Sequence, residues 1–375
     1  MLITFIAALV ACSLIYCLLT IIASLRHLKQ DAIPAATQAS VPISVLKPLS
    51  GIDDGLRENL LSFFEQDYSP FEMIFAVRHA TDPAYQLASS LMARYPEVNC
   101  RLLVTGEPPY ANAKVHSLSL MTAAAAHDVL VMSDSDIRVD RGFLRSMAAE
   151  VAADSYDLAT CPYRAVAGNT IWSRLEALGM NTEFWGGALV AKLLEGVRFT
   201  IGPTVVARRA VLNAIPWNTL SGYLAEDFVL GQRAAEQGFR VGLSRSVVEH
   251  RLSGESMEKN LAHRLRWARS TRRSRPSGYV GQLFTHPLPL ALLLTAVDHP
   301  LWPVLAGTAI LRAFAAYAVS DLVLSEKLGL RSWLLIPLQD VLGFVFWLAG
   351  FSGNHIDWRG RRYRLHRDGT FELVG

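Results

Sequence analysis

The sequence predicts an α/β protein built on a parallel sheet and held at a membrane. Three observations carry this. Between residues 41 and 132, short apolar runs alternate with stretches of helical spacing, joined by short connections, which is the signature of a parallel α/β sheet. The run 129–136, Val-Leu-Val-Met-Ser-Asp-Ser-Asp, reads as a buried strand ending in two carboxylates. With 51% hydrophobic residues and a mean hydropathy of +0.25, the 375-residue chain is too apolar for an ordinary soluble enzyme.

Residues 3–25 carry no charge, enough to span a bilayer. No basic region precedes them and the run exceeds a signal-peptide core, so an uncleaved anchor over 1–25 is expected. Arg26, His27 and Lys29 follow directly. Positive flanks stay inside, so the next domain is expected in the cytoplasm. Residues 26–40 read as a linker, and 41–280 as the α/β domain.

Within that domain the strand 41–46 runs into the loop Lys47-Pro48-Leu49-Ser50-Gly51. Helices follow at 56–66, 83–95 and 113–126, and strands at 71–77, 98–104 and 129–132. Right-handed crossovers are expected. Further on come a helix at 143–153 and a strand at 157–161. Residues 172–195 mix large apolar side chains with charges, fitting either an interfacial helix or an ordinary core helix. Leu224-Ala225-Glu226-Asp227 precedes a helix at 228–237, where acidic residues favour the helix start. His263-Arg264-Leu265-Arg266-Trp267 is followed by Arg269, Arg272, Arg273 and Arg275.

The apolar stretches 283–307, 308–324 and 333–350 make up membrane segments over 281–352, and 353–375 is a basic tail. Asp298, His299 and Pro300 break the first stretch, so a turn is expected near 298–303. Three crossings would export the basic tail, against the positive-inside rule. One stretch should therefore fail to cross, and 283–307 is the expected re-entrant one. Asp321 and Asp340 fall within or at the edge of these spans, as pairing or functional charges.

Asp134 and Asp136 would point the same way if the strand continued. Close carboxylates repel unless a cation lies between them. Mg²⁺ or Mn²⁺ suits such oxygen ligands and is shared with phosphates. An acidic turn capping the next helix is the alternative. Arg266 can neutralise a diphosphate, and Trp267 offers a flat apolar face. The net charge of +3 gives no case for nucleic acid. Basic clusters near 26–29, 264–275 and 359–367 flank apolar runs and suit anionic lipid headgroups. The four cysteines show no zinc-finger or Cys-x-x-Cys spacing. No P-loop or dinucleotide glycine fingerprint is present.

The ordered set resembles the membrane glycosyltransferases of the ceramide glucosyltransferase type, in glycosyltransferase families 2 and 21, with the bacterial hopanoid-biosynthesis branch. It covers nearly the whole chain, through Leu46-Lys47-Pro48-Leu49, Thr81-Asp82-Pro83-Ala84, Asn112-Ala113-Lys114, Asp134-Ser135-Asp136-Ile137-Arg138-Val139, Ala225-Glu226-Asp227, Arg266-Trp267 and Trp358-Arg359-Gly360-Arg361-Arg362-Tyr363-Arg364. The resemblance implies a GT-A nucleotide-sugar fold. It implies inverting transfer of a hexose from UDP-glucose or UDP-N-acetylglucosamine to the hydroxyl of a membrane lipid such as ceramide or a hopanoid. It places Asp134 and Asp136 at a divalent metal and the diphosphate, Asp227 as general base, and Arg266 and Trp267 at the end of a Gln/Arg-x-x-Arg-Trp motif. His263 stands where that motif opens. His79 stands where an aspartate contacting uracil is expected, with Asp82 close by. Lys114 is a candidate phosphate contact or a surface lysine. The implied setting is a bacterial inner membrane with a cytoplasmic catalytic domain. A processive polysaccharide synthase and an inactive membrane scaffold are the alternatives. Asp134, Asp136, Asp227 and Arg266 argue against the scaffold.

Overall fold

The computed structural model describes every residue except 30–40, 153–155, 255, 359 and 375. The expected linker therefore lies largely outside the described residues. The chain opens with one helix, Leu2–Leu28 (α1). Ile43–Pro48 (β1), Leu56–Phe64 (α2), Phe71–Val77 (β2), Pro83–Arg94 (α3), Asn99–Val104 (β3), Ala113–Ala124 (α4) and Val129–Ser133 (β4) then alternate as expected. The strands pair in parallel, in the order β3-β2-β1-β4. Strands β1 and β4 are covered on both faces, which is why they are mostly apolar, with Ser44, Lys47 and Ser133 as their buried polar residues. Helix starts carry their own signals. Asp82 caps α3 before Pro83, and Asn112 caps α4 by accepting from the Val115 N–H at 3.2 Å.

Past β4 the elements are Ile137–Arg138 (β5), Phe143–Ala152 (α5), Leu158–Thr160 (β6), Tyr163–Val166 (β7), Ile171–Gly179 (α6), a π-helical turn Met180–Phe184, Trp185–Glu195 (α7), Thr204–Arg208 (β8), Arg209–Ala214 (α8), Glu226–Glu236 (α9), Val241–Leu243 (β9) and Val248–Arg251 (β10). Strand β8 runs antiparallel between β4 and β6, so the seven-stranded sheet is mixed rather than wholly parallel. Strand β10 pairs with β5 and β7 in a second, small sheet. The stretch 172–195 is a core helix on one side, with Trp185 and Leu189 in the main apolar cluster. Its other side packs on α1, where a Cβ on Gly186 would come within 3.2 Å of Thr20 Cγ2.

The remaining helices are Met257–Ser274 (α10), Pro276–Gly281 (α11), Pro287–Val297 (α12), Trp302–Tyr317 (α13) and Leu330–Gly350 (α14). Strands His355–Trp358 (β11), Arg361–Leu365 (β12) and Phe371–Leu373 (β13) form an antiparallel meander from the basic tail. Among the described residues, three helices are long and apolar enough to cross a membrane: Leu2–Leu28, His299–Val323 and Leu330–Gly350. A fourth candidate is the pair Pro276–Thr285 and Pro287–Val297, bent by 58°. The turn falls at 298–301, inside the expected window. The following helix runs through Gly307 because Pro300 and Pro303 start it and nothing breaks it there.

Leu290, Leu294 and Leu301 pack with Ile6 and Val10, at the end of α1 remote from the α/β unit. The other end of α1 meets α7, where His27 Nδ1 lies 2.9 Å from Lys192 Nζ. Helices α12 and α13 form a hairpin packed along α1. Helix α14 is held to the α/β side at both ends. Just before it, Glu326 pairs with Arg164 of β7 at 3.6 Å. Just after it, Arg269 donates to Ser352 O at 3.0 Å and Arg272 to Gly353 O at 2.9 Å. Cationic side chains at a helix C-terminus satisfy its free carbonyls. Asp340 of α14 pairs with Arg312 of α13 at 2.9 Å, which is helix-to-helix pairing.

Candidate functional site

The site lies at the carboxyl ends of β1 and β4, the place where open α/β sheets bind ligands. Strand β4 stops at Ser133 and a turn follows, in which the Ile137 N–H donates to Asp134 O at 3.3 Å. Alternation therefore does not continue through Asp134 and Asp136, and the two carboxylates take different partners.

Lys114, in the first turn of α4, places Nζ 2.6 Å from Asp134 Oδ1 and 3.5 Å from Glu226 Oε1. It is not a free surface lysine. Burial alone would lower its pKa, but Asp134, Glu226 and Asp227 together raise it, so it is a fixed cation. Glu226 and Asp227 form the first turn of α9, rather than preceding it as the sequence suggested. Burial pushes Glu226 up to about 7, partly offset by Lys114. Burial also raises Asp227, again opposed by Lys114. Asp227 Oδ2 accepts from the Gly202 N–H. A Cβ on Gly202 would sit 2.9 Å from that oxygen and 3.3 Å from Lys114 Nζ, so glycine is needed there. Asn112 Nδ2 donates to Glu226 Oε2 at 3.2 Å. Lys114, Asp134, Gly202, Glu226 and Asp227 line one pocket, with Met132, Val205 and Trp217 as apolar wall.

Behind the pocket, Lys47 at the end of β1 is fully buried. Its Nζ donates to Asp134 O at 2.6 Å and lies 4.0 Å from the Phe63 ring centroid. Burial lowers it to about 7, although Asp134 and Asp136 favour its charged form. Asp136 turns instead to His250 of β10, Oδ2 to Nε2 at 3.1 Å. Burial would raise Asp136, but His250 outweighs it and the carboxyl is lowered. Its Oδ1 is buried without a hydrogen-bond partner.

Arg266 is half-buried on α10. Trp267 joins the site through rings: Phe184 at 5.7 Å, then Tyr163 at 5.8 Å, then His250 at 5.0 Å. His263 Nδ1 lies 2.7 Å from Glu176 Oε1, on the face of α10 toward α6. His79 sits past β2 with Nε2 3.1 Å from Glu107 Oε1. The Asp82 carboxylate is taken by the N–H groups of Ala84 at 2.9 Å and Gly51 at 3.0 Å. None of His79, Asp82, His263, Arg266 and Trp267 lines the Lys114 pocket.

Sequence reasoning gave no role to Lys47, Glu226, Gly202 or His250. The first two stand inside quoted motifs. His250 carried no signal, because only the small sheet brings it to Asp136.

A carboxylate pair suits a divalent ion, and the unpartnered Asp136 Oδ1 is an oxygen ready to ligate one. Among the described residues no three of His, Cys, Asp and Glu make a metal cage by themselves.

The chain matches the family model of glycosyl transferase family 21 over residues 3–371. It is 25% identical over 233 residues to ceramide glucosyltransferase 3 of Caenorhabditis elegans, covering 62% of this chain and 51% of that protein. It is 28% identical over 208 residues to ceramide glucosyltransferase 1 of the same organism, covering 54% and 44%. The chain thus spans about half the length of the curated relatives it matches. Among solved structures it is similar to the mannosyltransferase PcManGT from Pyrobaculum calidifontis in complex with GDP-Man and Mn²⁺. The TM-score is 0.53 at 17% identity, over 94% of this chain and 98% of that one. That likeness is one of fold.

Proposed function

Because this chain belongs to glycosyl transferase family 21, we propose that it transfers a hexose from a UDP-sugar to the hydroxyl of a membrane lipid, with inversion. The observation that carries the reading is one pocket in which Asp227 faces the Lys114–Asp134 pair. A base and a cation placed together there suit removal of one proton and departure of one anion.

Asp227 takes the proton of the acceptor hydroxyl as its oxygen attacks the anomeric carbon. The carbon–oxygen bond to the diphosphate breaks, and its electron pair leaves with UDP. A carboxylate raised by burial is a better proton acceptor than an exposed one. Lys114 and Arg266 meet the charge that develops on the diphosphate. Asp134 and Asp136 would hold a divalent ion, Mg²⁺ or Mn²⁺, with His250 orienting Asp136. Such an ion supplies positive charge to the leaving diphosphate. Trp267 lines the approach from the membrane side. His79 and Asp82 lie near the base-binding end. His263 steadies α10 through Glu176.

The lipid reading rests on the candidate membrane helices and on the ceramide glucosyltransferase relatives. Residues 1–25 anchor the chain, 41–280 form the catalytic unit, 281–352 the membrane segments and 353–375 the returning tail. The basic residues after α1 support a cytoplasmic catalytic unit, and the reading sets the chain in a bacterial inner membrane. Ceramide and hopanoid polyols both present a suitable hydroxyl.

The test uses the purified full chain in detergent. UDP-glucose or UDP-N-acetylglucosamine is supplied with Mn²⁺ and each lipid in turn, and UDP release is read beside lipid mass spectrometry. A glycolipid heavier by one sugar residue is expected, a hexose from UDP-glucose or an N-acetylhexosamine from UDP-N-acetylglucosamine. Absence of both UDP binding and glycolipid with every donor would overturn the proposal.

A further inference from the structure

The loop 221–225 delivers Glu226 and Asp227 to the pocket, and it is gripped from two sides. From the α/β unit, Asn112 Nδ2 donates to Tyr223 O at 2.8 Å. From the C-terminal meander, the Phe371 N–H donates to Gly222 O at 2.9 Å, and Thr370 bridges Tyr223 as a short antiparallel pair. Leu224, two residues before Glu226, is buried in one apolar cluster with Ile356, Tyr363, Leu365 and Phe371. Phe371 lies at the heart of it, 5.1 Å from the Tyr363 ring and 6.1 Å from Trp358.

The meander's other end is tied to α10. Arg272 donates to Asn354 Oδ1 at 2.9 Å, and the Leu365 N–H to Asn354 O at 2.7 Å. A three-stranded meander this short lies below the roughly 40 residues at which a chain usually holds a core without further support. Its order and that of the loop therefore depend on each other through Leu224 and Phe371.

We propose that the C-terminal meander is a positioning element for Glu226 and Asp227, with Phe371 as its central residue. This rests on the reading of Asp227 as the base. Phe371 touches no reacting atom; it acts by fixing where α9 begins. A small displacement of a catalytic group costs turnover far more than donor binding.

The full chain is compared with Phe371→Ala and Phe371→Leu, by calorimetry with UDP and Mn²⁺, by steady-state kinetics, and by hydrogen exchange of the 220–227 amides. Phe371→Ala should keep its UDP affinity, exchange the loop amides faster, and lose turnover on the order of 10- to 100-fold. Phe371→Leu should recover most of both. Full turnover in Phe371→Ala would overturn the proposal. So would a fall in UDP affinity matching the fall in turnover, with loop exchange unchanged. A wild-type chain that neither binds nor turns over any nucleotide sugar would instead sink the proposed function, while the loop exchange would still report on the meander's grip.

Discussion

Lys114 Nζ stands 2.6 Å from Asp134 Oδ1 and also within reach of Glu226, so one cation joins the end of β4 to the start of α9. Removing Asp134 and removing Asp227, the neighbour of Glu226, should have different consequences. On the proposed assignment Asp134 holds the divalent ion, so Asp134→Asn should weaken UDP-sugar and Mn²⁺ binding. Asp227→Asn keeps the pocket's shape and should leave binding near normal while abolishing turnover. Calorimetry separates the two from UDP release. An Asp227→Asn chain with full activity would end the general-base assignment.

The same cation sets the pH profile. The base must be ionised, and burial raises both Glu226, to about 7, and Asp227. Turnover should therefore fall as pH drops toward and below 7, along an acid limb that belongs to the pair rather than to one residue. Lys114 lowers both carboxylates. Lys114→Met removes that effect, so the limb should move to higher pH and donor affinity should fall. A limb unmoved in Lys114→Met would show that the cation does not act on the base.

The sheet was legible from β1 to β4 because β1, β2 and β4 are buried and mostly apolar, while β3, a half-exposed edge strand, was read from the alternation of strand and helix. Strand β8 was not legible, because it leads straight into α8 and only its long-range antiparallel pairing with β4 and β6 makes it a strand. Asp134, Asp136 and Asp227 were visible as motifs at strand and helix ends. His250 was not, because a contact between β5 and β10 is set by long-range pairing. Lys114 looked like a surface lysine because its neighbour Glu226 is 112 positions away along the chain. The arginines of α10 read as a lipid-facing cluster, whereas Arg269 and Arg272 spend their donors on the carbonyls after α14.

The Arg312–Asp340 pair is fully buried between α13 and α14, and Thr182 of the π-helical turn accepts from the same guanidinium at 3.1 Å. Asp340→Ala strands a buried cation and should cost about 3–5 kcal/mol. Replacing both partners with leucine should cost much less, because no buried charge is left unpaired. Thermal unfolding in detergent compares them. Equal losses in the single and double variants would mean that packing, not charge, holds this contact.

The last prediction concerns topology. The meander packs on Leu224 and so shares a side with the catalytic unit. An even number of crossings must then lie between α10 and β11. The tip at 298–301 packs beside Ile6 and Val10, remote from that unit, so α12 runs away from it and α13 runs back. That uses both crossings. Helix α14 has the composition of a span, but the Glu326–Arg164 and Arg272–Gly353 contacts hold its two ends on one side. It should lie along the membrane surface under the catalytic unit, with its apolar face in the acyl boundary. Single cysteines at His299, Arg331 and Arg367, in a chain whose native cysteines are replaced, test this in sealed vesicles. His299→Cys should label only from the face opposite the catalytic unit. Arg331→Cys and Arg367→Cys should label from the catalytic face. Labelling of Arg331→Cys from the opposite face, with Arg367→Cys on the catalytic one, would make α14 a true crossing and return the re-entrant role to α12.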